Sequence, residues 1–402
     1  MNSERSDVTR VAVVGDSLSA YAVVAVLTKL GYHCDLLCYP TKSNFYGPSL
    51  VLNDVSETLL AELFPDVNLG IDSQRLTHRW VCWGTQPVQV EQPALAIRSH
   101  SLLELLRKSK VMQHMRMIDA SQLTAQQISQ KYAWTVYTKH KQGAMPTLGE
   151  PCLQNAARSL LPRSRSVPLL SGTLTAGVAI ALSESFQSLI GGQRVIITAE
   201  VQDTPKSAYT CYMESLADGW LFYAPVNGSG AMLQTCLPIT PANPRRALLE
   251  CLYQSTTIST FVNDLQKVNC FFSAPHLEWP LCGLGWLMVG EPAIKIDPVS
   301  GEGTPFALRS AILAGAVIDA ILSDRIPDIS ALNHYQTRLT HSFISHLRGC
   351  IQFYREVFST NLAWQAEINQ MIDIAETLST QLEQQAVNVL NYRLIDFELH
   401  IG

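Results

Sequence analysis

The chain has 402 residues, of which 47% are hydrophobic and 16% charged, enough for a large core and two closely packed domains. A formal net charge of -5, with no run of Lys or Arg, excludes a nucleic-acid surface. The ten cysteines form no C-x-x-C pair, so neither a disulfide framework nor a zinc site is expected, and the thiols read as small apolar side chains.

The polar start "MNSERSDVTR" has no apolar core of signal-peptide length, and no uninterrupted apolar stretch is long enough to span a bilayer. The expected location is the cytoplasm. Val11 to Val14 reads as a buried parallel strand, Ser17 to Leu30 as a helix closed by Gly31, and His33 to Cys38 as a second strand. This is a β-α-β unit. A dinucleotide fingerprint would place glycine at the positions of Gly15, Ser17 and Ala20, and only the first is glycine. Two readings stay open: a weakened nucleotide turn whose helix N-terminus still favours an anion, or an ordinary β-α turn. Cys38 and Tyr39 stand where an acidic residue would bond a ribose.

Further along, "SETLLAELF" predicts an amphipathic helix, and Arg79 to Gln89 and Trp134 to His140 have strand character. "RSHSLLELLRKSK" predicts a helix beginning after Arg98. Three antiparallel strands, "RVIITAEV", "SAYTCYMES" and "GWLFYAPV", suggest a separate sheet in mid-chain. Residues Ala331 to Asn391 offer two or three long helices. The division expected is a discontinuous Rossmann-like domain over 1–165 and 281–330, a substrate domain with an inserted, mostly antiparallel sheet over 166–280, and a helical region over 331–402. The fold class is α/β.

The most informative stretch is "GWLMVGEPAIKIDPVSGEGTPFALRSAILAGAVIDAIL", Gly285 to Leu322. Trp286 to Val289 reads as a strand ending at Gly290-Glu291, Asp297-Pro298 as a sharp turn, Gly301-x-Gly303 as a flexible loop, and Thr304 as the cap of a long apolar helix. Such a loop aims backbone amides and a positive helix end outward from a sheet edge, where they stabilise anions and electron-rich rings.

In order and spacing this stretch resembles the second FAD motif of the FAD-dependent monooxygenases with the p-hydroxybenzoate hydroxylase fold, a group that includes flavin-dependent halogenases and geranylgeranyl reductases. The resemblance implies that Gly290 and Glu291 meet the ribityl chain, that Asp297 and Pro298 line the flavin, and that the amides near Gly301, Gly303 and Thr304 face its ring. Glu291 departs from the family's Asp, and the added methylene moves the carboxylate by roughly an ångström or more. By the same resemblance Gly15, Ser17 and Ala20 form the pyrophosphate turn, and Arg98 and Arg158 (in "QNAARS") reach the cofactor. "DGWLFYAP" resembles the strand over the flavin in the halogenase-like branch, which makes Trp220 and Tyr223 candidate pocket residues; packing is the plainer reading for both. Within that branch the chain is most similar to flavoproteins that mature cysteine tryptophylquinone enzymes, the partner flavoproteins of glycine oxidase and lysine ε-oxidase. The implied activity is hydroxylation of an aromatic group, a tryptophan of a precursor protein, in an open cleft.

A flavin oxygenase needs few protein acids or bases, so no triad is expected. The halogenases' Trp-x-Trp-x-Ile-Pro signature is absent; "RWVCWG", around Trp80 and Trp83, has other spacing and another place. No second fingerprint for NAD(P)H is visible, which leaves NAD(P)H and a partner reductase both open as the source of electrons. His276 near the flavin competes with a surface or hydrogen-bonded core histidine. His334, His341 and His346 are spaced by seven and five, which puts no pair at i, i+4 and argues against a metal. Arg309 suits either an ion pair or a pyrophosphate contact, and Arg163 and Arg165 read as a solvated loop. A non-catalytic member of the fold that works by binding a partner, or a hydroxylase of small aromatics, is the competing reading.

Overall fold

The structure, a computed structural model, describes residues 10–39, 49–138, 187–202, 208–226, 230–385 and 392–402. Arg158, Arg163 and Arg165 lie outside the described residues. The first half runs β1 (Arg10–Val14), α1 (Leu18–Lys29), β2 (His33–Cys38), β3 (Leu50–Asn53), α2 (Asp54–Leu63), β4 (Ser73–Cys82), β5 (Pro87–Ile97), α3 (Ser99–Arg107), β6 (Arg116–Asp119), α4 (Ala125–Lys131) and β7 (Trp134–Tyr137). There follow β8 (Gln187–Ile190), β9 (Val195–Gln202), β10 (Thr210–Ser215), β11 (Trp220–Val226), β12 (Gly230–Leu237), α5 (Pro244–Gln254), β13 (Leu265–Phe272), β14 (His276–Trp279), β15 (Cys282–Gly283), β16 (Trp286–Met288) and β17 (Ile294–Lys295). The chain ends with α6 (Gly303–Leu322), α7 (Asp328–Phe358), α8 (Leu362–Gln385), β18 (Tyr392–Ile395) and β19 (Glu398–Ile401).

A six-stranded sheet, in the order β15-β16-β7-β1-β2-β6, is built on the expected β-α-β unit. All its pairings are parallel except β15 with β16. Every residue from Ala20 to Leu27 is fully buried, because α1 is covered on one side by this sheet and on another by α6. Small residues permit the helix contact: a Cβ on Gly315 would come within 3.0 Å of Val26 Cβ. The helix α6 is long and apolar enough by composition to cross a membrane, and 78% of its apolar window is buried inside the fold.

The second sheet has eight strands in the order β13-β9-β12-β11-β10-β4-β5-β3. The expectation of three mid-chain strands falls short here, since β12 adds a fourth and pairs between β9 and β11. Nor is that sheet separate from the N-terminal region: β3, β4 and β5 belong to it, with β4 parallel to β10. The first segment of the Rossmann-like domain, drawn at 1–165, thus contributes β3, β4 and β5 to the second sheet. One face of this sheet packs on α5, burying Leu221, Tyr223, Leu233 and Leu248 together. The other face puts Ile196, Met213, Trp220 and Cys236 into the larger core.

The tail forms two long helices, α7 and α8, that pack against each other. His334 on α7 is buried edge-on to Tyr392, with ring centroids 5.3 Å apart. Burial, then the nearby Arg338, pushes its pKa from 6.5 to about 4. The unfolded chain then takes up a proton below 6.5 that the folded chain refuses until about 4, so stability falls as pH drops through that window and is level above it. His346, also lowered by burial, adds to the same trend. His334→Phe is expected to flatten part of this slope in denaturant unfolding followed against pH; an unchanged slope would remove His334 from the account.

Candidate active site cleft

Between the two sheets lies a cleft of about 850 Å³, a size suited to a small-molecule or cofactor site. Its walls come from three places. The turn Asp16 to Ser19 opens α1, the cleft-facing side chains of β9 to β12 supply Ile196, Met213, Trp220 and Phe222, and the loop Pro298 to Thr304 leads into α6.

The loop is shaped by its own sequence. Asp297 accepts from Val299 N at 2.9 Å and so starts a short 3-10 turn, Pro298 to Ser300, which Gly301 ends at φ 68. Gly301 N donates back to Pro298 O at 3.1 Å, and Glu302 N to Ser300 Oγ at 3.1 Å. Of the three amides expected to face a ring, Gly301 is thus consumed in the turn, while Gly303 and Thr304 occupy the first turn of α6 and have no carbonyl behind them. Thr304 is not the cap. That position falls to Glu302, which makes no side-chain cap bond, so the positive end of α6 stays open to the cleft. A Cβ at Gly303 would meet nothing within 4 Å, leaving room above these amides.

Asp297 itself does not line the cleft. It is fully buried behind the loop, bonded to Arg194 Nε at 2.8 Å and to the Tyr354 hydroxyl at 2.9 Å, while its amide donates to His346 Nε2 at 2.8 Å. Arg194, also fully buried, reaches Glu367 Oε2 at 2.5 Å with its other arm, and Glu367 Oε1 accepts from Gln193 N at 2.5 Å. Burial works against the charge of Arg194, but Asp297, Tyr354 and Glu367 more than offset it and hold it protonated. This hub joins the loop to α7 and α8. Besides Asp297, its sequence mark is the pair Gly191-Gly192 just before Arg194: a Cβ on Gly192 would collide with the Glu367 carboxylate.

At the opposite end, Ser17 caps α1 by accepting from Ala20 N at 3.2 Å, and its hydroxyl points to Thr138 Oγ1 at 3.3 Å. Ser17 lines the cleft; Ala20 is fully buried and Gly15 is not among the lining residues. The cation at this turn is Arg107, which the sequence reading passed over. It holds Asp16 Oδ2 at 2.8 Å and donates to the Tyr21 hydroxyl at 2.8 Å, and that hydroxyl donates to Asp16 Oδ1 at 2.5 Å. Arg98 sits at the head of α3 as expected, but its guanidinium lies within 3.7 Å of the Cβ position of Gly230, beside β12 rather than in the cleft lining.

Glu291 lines the cleft, exposed and paired with Lys295 at 2.5 Å, while Gly290 does not. Trp220 lines it too, with its indole N-H 3.4 Å from the Tyr354 hydroxyl. Tyr223 is a correction: three residues on, it faces the other side of the sheet and packs on Phe261 with centroids 4.8 Å apart. Phe222 takes the place on the cleft face. His276 pairs in β14 outside the cleft lining, and Arg309 forms an ion pair with Glu302 at 3.6 Å. Among the described residues no group of His, Cys, Asp and Glu could hold a metal.

A parallel sheet with a β-α-β start, a return loop into α6, an eight-stranded sheet across the cleft and a helical tail define the fold of the flavin-dependent monooxygenases and halogenases. The comparisons with known proteins agree at the level of fold. The chain superposes on the peptidyl tryptophan dihydroxylase QhpG, which is essential for tryptophylquinone cofactor biogenesis, with a TM-score of 0.63 and 18% identity over 98% of this chain and 86% of that one. It superposes on the myxobacterial chondrochloren halogenase CndH with a TM-score of 0.66 and 13% identity, covering 95% and 91%. For p-nitrophenol 4-monooxygenase PnpA from Pseudomonas putida DLL-E4 the values are 0.62 and 11%, covering 94% and 98%. By sequence it is 30% identical to Protein FixC of Rhizobium meliloti (strain 1021) over 101 residues, a match spanning 25% of this chain and 22% of that protein. No protein-family model matches.

Proposed function

We propose that the cleft holds FAD and that the protein is a monooxygenase that hydroxylates an aromatic group, a tryptophan side chain of a precursor protein on the way to a tryptophylquinone cofactor. The observation that carries this reading is the open N-terminus of α6, whose Gly303 and Thr304 amides look into the cleft whose far wall bears Trp220, Phe222, Met213 and Ile196. The likeness in fold to QhpG supports the choice of a peptidyl substrate.

These residues fit a flavin. The two amides and the positive end of α6 favour the electron-rich edge of the ring system, Pro298 and Val299 offer an apolar rim, and the α1 N-terminus at Ser17 and Leu18 offers a second positive helix end for phosphates. Bound and reduced, FAD supplies the electron-transfer and oxygen-activating chemistry. In the net reaction one oxygen atom enters an aromatic C-H bond and the other leaves as water, with two electrons from NAD(P)H or a partner reductase. The chain's own part is to exclude water with the apolar sheet face and to orient the aromatic ring. The expected location is the cytoplasm, and no residue is assigned as acid or base.

FAD mixed with the purified chain is expected to stay bound through gel filtration, and a tryptophylquinone-enzyme precursor incubated with the holoprotein and reductant is expected to gain the mass of one or two oxygen atoms. A colourless protein that FAD does not stabilise against heat would defeat the proposal. One observation favours a second reading, a non-catalytic partner-binding protein: the Ser17 hydroxyl already occupies the Ala20 amide, and the Asp16 carboxylate stands in the cleft wall. Retention of FAD by the wild type separates the two, and Ser17→Gly tests the turn itself. It costs the α1 cap only a few tenths of a kcal/mol and clears the turn, so FAD affinity is expected to rise several-fold; unchanged affinity in a titration would mean that the turn does not meet the cofactor.

A further inference from the structure

Among the described residues five charged side chains line the cleft: Asp16, Arg79, Glu291, Lys295 and Glu302. Four are neutralised by a partner, Asp16 by Arg107, Glu291 and Lys295 by each other, and Glu302 by Arg309. Arg79 is not. Among the described residues its buried Nε has no hydrogen-bond partner, one terminal nitrogen reaches only Met213 Sδ at 3.3 Å, and the guanidinium lies 6.0 Å from the centre of the Phe222 ring. A half-buried guanidinium with one buried N-H unsatisfied and only a weak sulfur acceptor on another is costly unless something arrives to satisfy it.

The local fold puts it there. Thr77 N and His78 N both donate to Tyr209 O, and the β4-β5 register shifts between Leu76 and His78. Beyond this bulge Arg79 stands opposite Cys211 on the cleft face, while Trp80 turns to Tyr212 on the other. Three amide side chains, Asn53, Gln92 and Gln234, line the same cleft, Asn53 being engaged as the cap of α2. The result is a planar cationic fork on an apolar wall of a cleft that also carries uncharged polar side chains, which matches a carboxylate rather than a neutral group.

We infer that Arg79 is a specificity-determining residue that binds a carboxylate of the substrate, an acidic side chain next to the target aromatic residue in a polypeptide. This rests on the function proposed above. A carboxylate on a free aromatic acid offers the same chemistry, so the test must tell the two sources apart.

Full-length protein, reconstituted with FAD, is titrated calorimetrically with Ac-Glu-Trp-NH2, Ac-Gln-Trp-NH2 and indole-3-acetate, as wild type, Arg79→Gln and Arg79→Lys, each checked for folding by circular dichroism. Wild type is expected to bind the acidic dipeptide about tenfold or more tightly than the amide, the worth of one charge-assisted pair. Arg79→Gln is expected to lose that preference and Arg79→Lys to keep part of it. Indole-3-acetate should bind more weakly than the acidic dipeptide; equal or tighter binding overturns the assignment to a polypeptide. The inference is also overturned if wild type shows no preference, or binds neither dipeptide, or if Arg79→Gln keeps the full preference. Flavin absorbance is read on the same samples. A chain that holds no FAD yet discriminates through Arg79 defeats the function proposal alone, and one that holds FAD without discrimination defeats only this inference.

Discussion

Arg194→Met is expected to lower the stability of the protein by about 3–5 kcal/mol, the cost of breaking a buried ion pair from one side. The methionine has nearly the right length and no charge, so it fills the space but leaves Asp297 and Glu367 facing each other without a cation. Both carboxylates are buried, and each would have to take up a proton or draw in water. The damage is directed. Asp297 starts the turn over Pro298 to Ser300, so a change in its charge reaches the loop at the cleft, while Glu367 ties α8 to the Gly191-Gly192 bend. Cofactor retention is expected to fall with stability for that reason. The triple variant Arg194→Met, Asp297→Asn, Glu367→Gln should recover a large part of the loss, because neutral amides and a thioether need no counter-charge. Arg194→Lys should not, since a compact ammonium lacks the fixed spread with which two guanidinium nitrogens meet Asp297 Oδ2 and Glu367 Oε2. The midpoint of guanidinium unfolding decides it, and an unchanged midpoint in Arg194→Met would show that the buried charges contribute nothing net.

Much of the frame was legible because its signals are local. The run of β-branched residues in β1, the small apolar residues of α1, Gly31 after it, and the strand-turn-helix order from Trp286 to Leu322 each carry their own instruction in a short window. The cleft residues Pro298, Gly301, Gly303 and Thr304 follow from that order. What stayed hidden depends on pairing across long stretches of chain. Nothing near His78 announces that it will lie beside Thr210, so the assignment of β3, β4 and β5 to the second sheet could not be read from their sequence. Faces are a second blind spot: alternation says that Trp220 and Tyr223 point opposite ways, but both sides of β11 are buried, one by α5 and one by the cleft, and the sequence does not say which. A bulge hid Arg79 by breaking the alternation just before it. Arg98 and Arg107 sit at the two ends of α3, and only the docking of that helix against α1 decides which one meets the turn.

Gly290→Ala is expected to be the most damaging single-methyl addition in the six-stranded half of the molecule. Gly290 has φ 70, a conformation that costs an L residue about 1–2 kcal/mol. Its carbonyl accepts from Ala293 N at 3.0 Å and Ile294 N at 2.9 Å, so the turn cannot relax toward a strand without losing both bonds. A Cβ here would collide with Ser19 Oγ and stand 2.9 Å from Ser19 Cβ. Retreat by α1 is blocked, since its buried residues are pinned between the sheet and α6, and forced overpacking of such a site adds about 1–3 kcal/mol. The expected total is about 2–5 kcal/mol, read as a lower unfolding midpoint. Adding Ser19→Gly removes the colliding atoms and should return the steric share, leaving the backbone share in place; no rescue would mean that the contact with α1 is not what forbids a side chain. Gly303 gives the opposite case. It has ordinary φ and open space where a Cβ would stand, so Gly303→Ala should fold as well as wild type and lose only FAD affinity. Glycine at 290 thus answers to helix packing within the protein, whereas at 303 no packing among the described residues forbids a side chain.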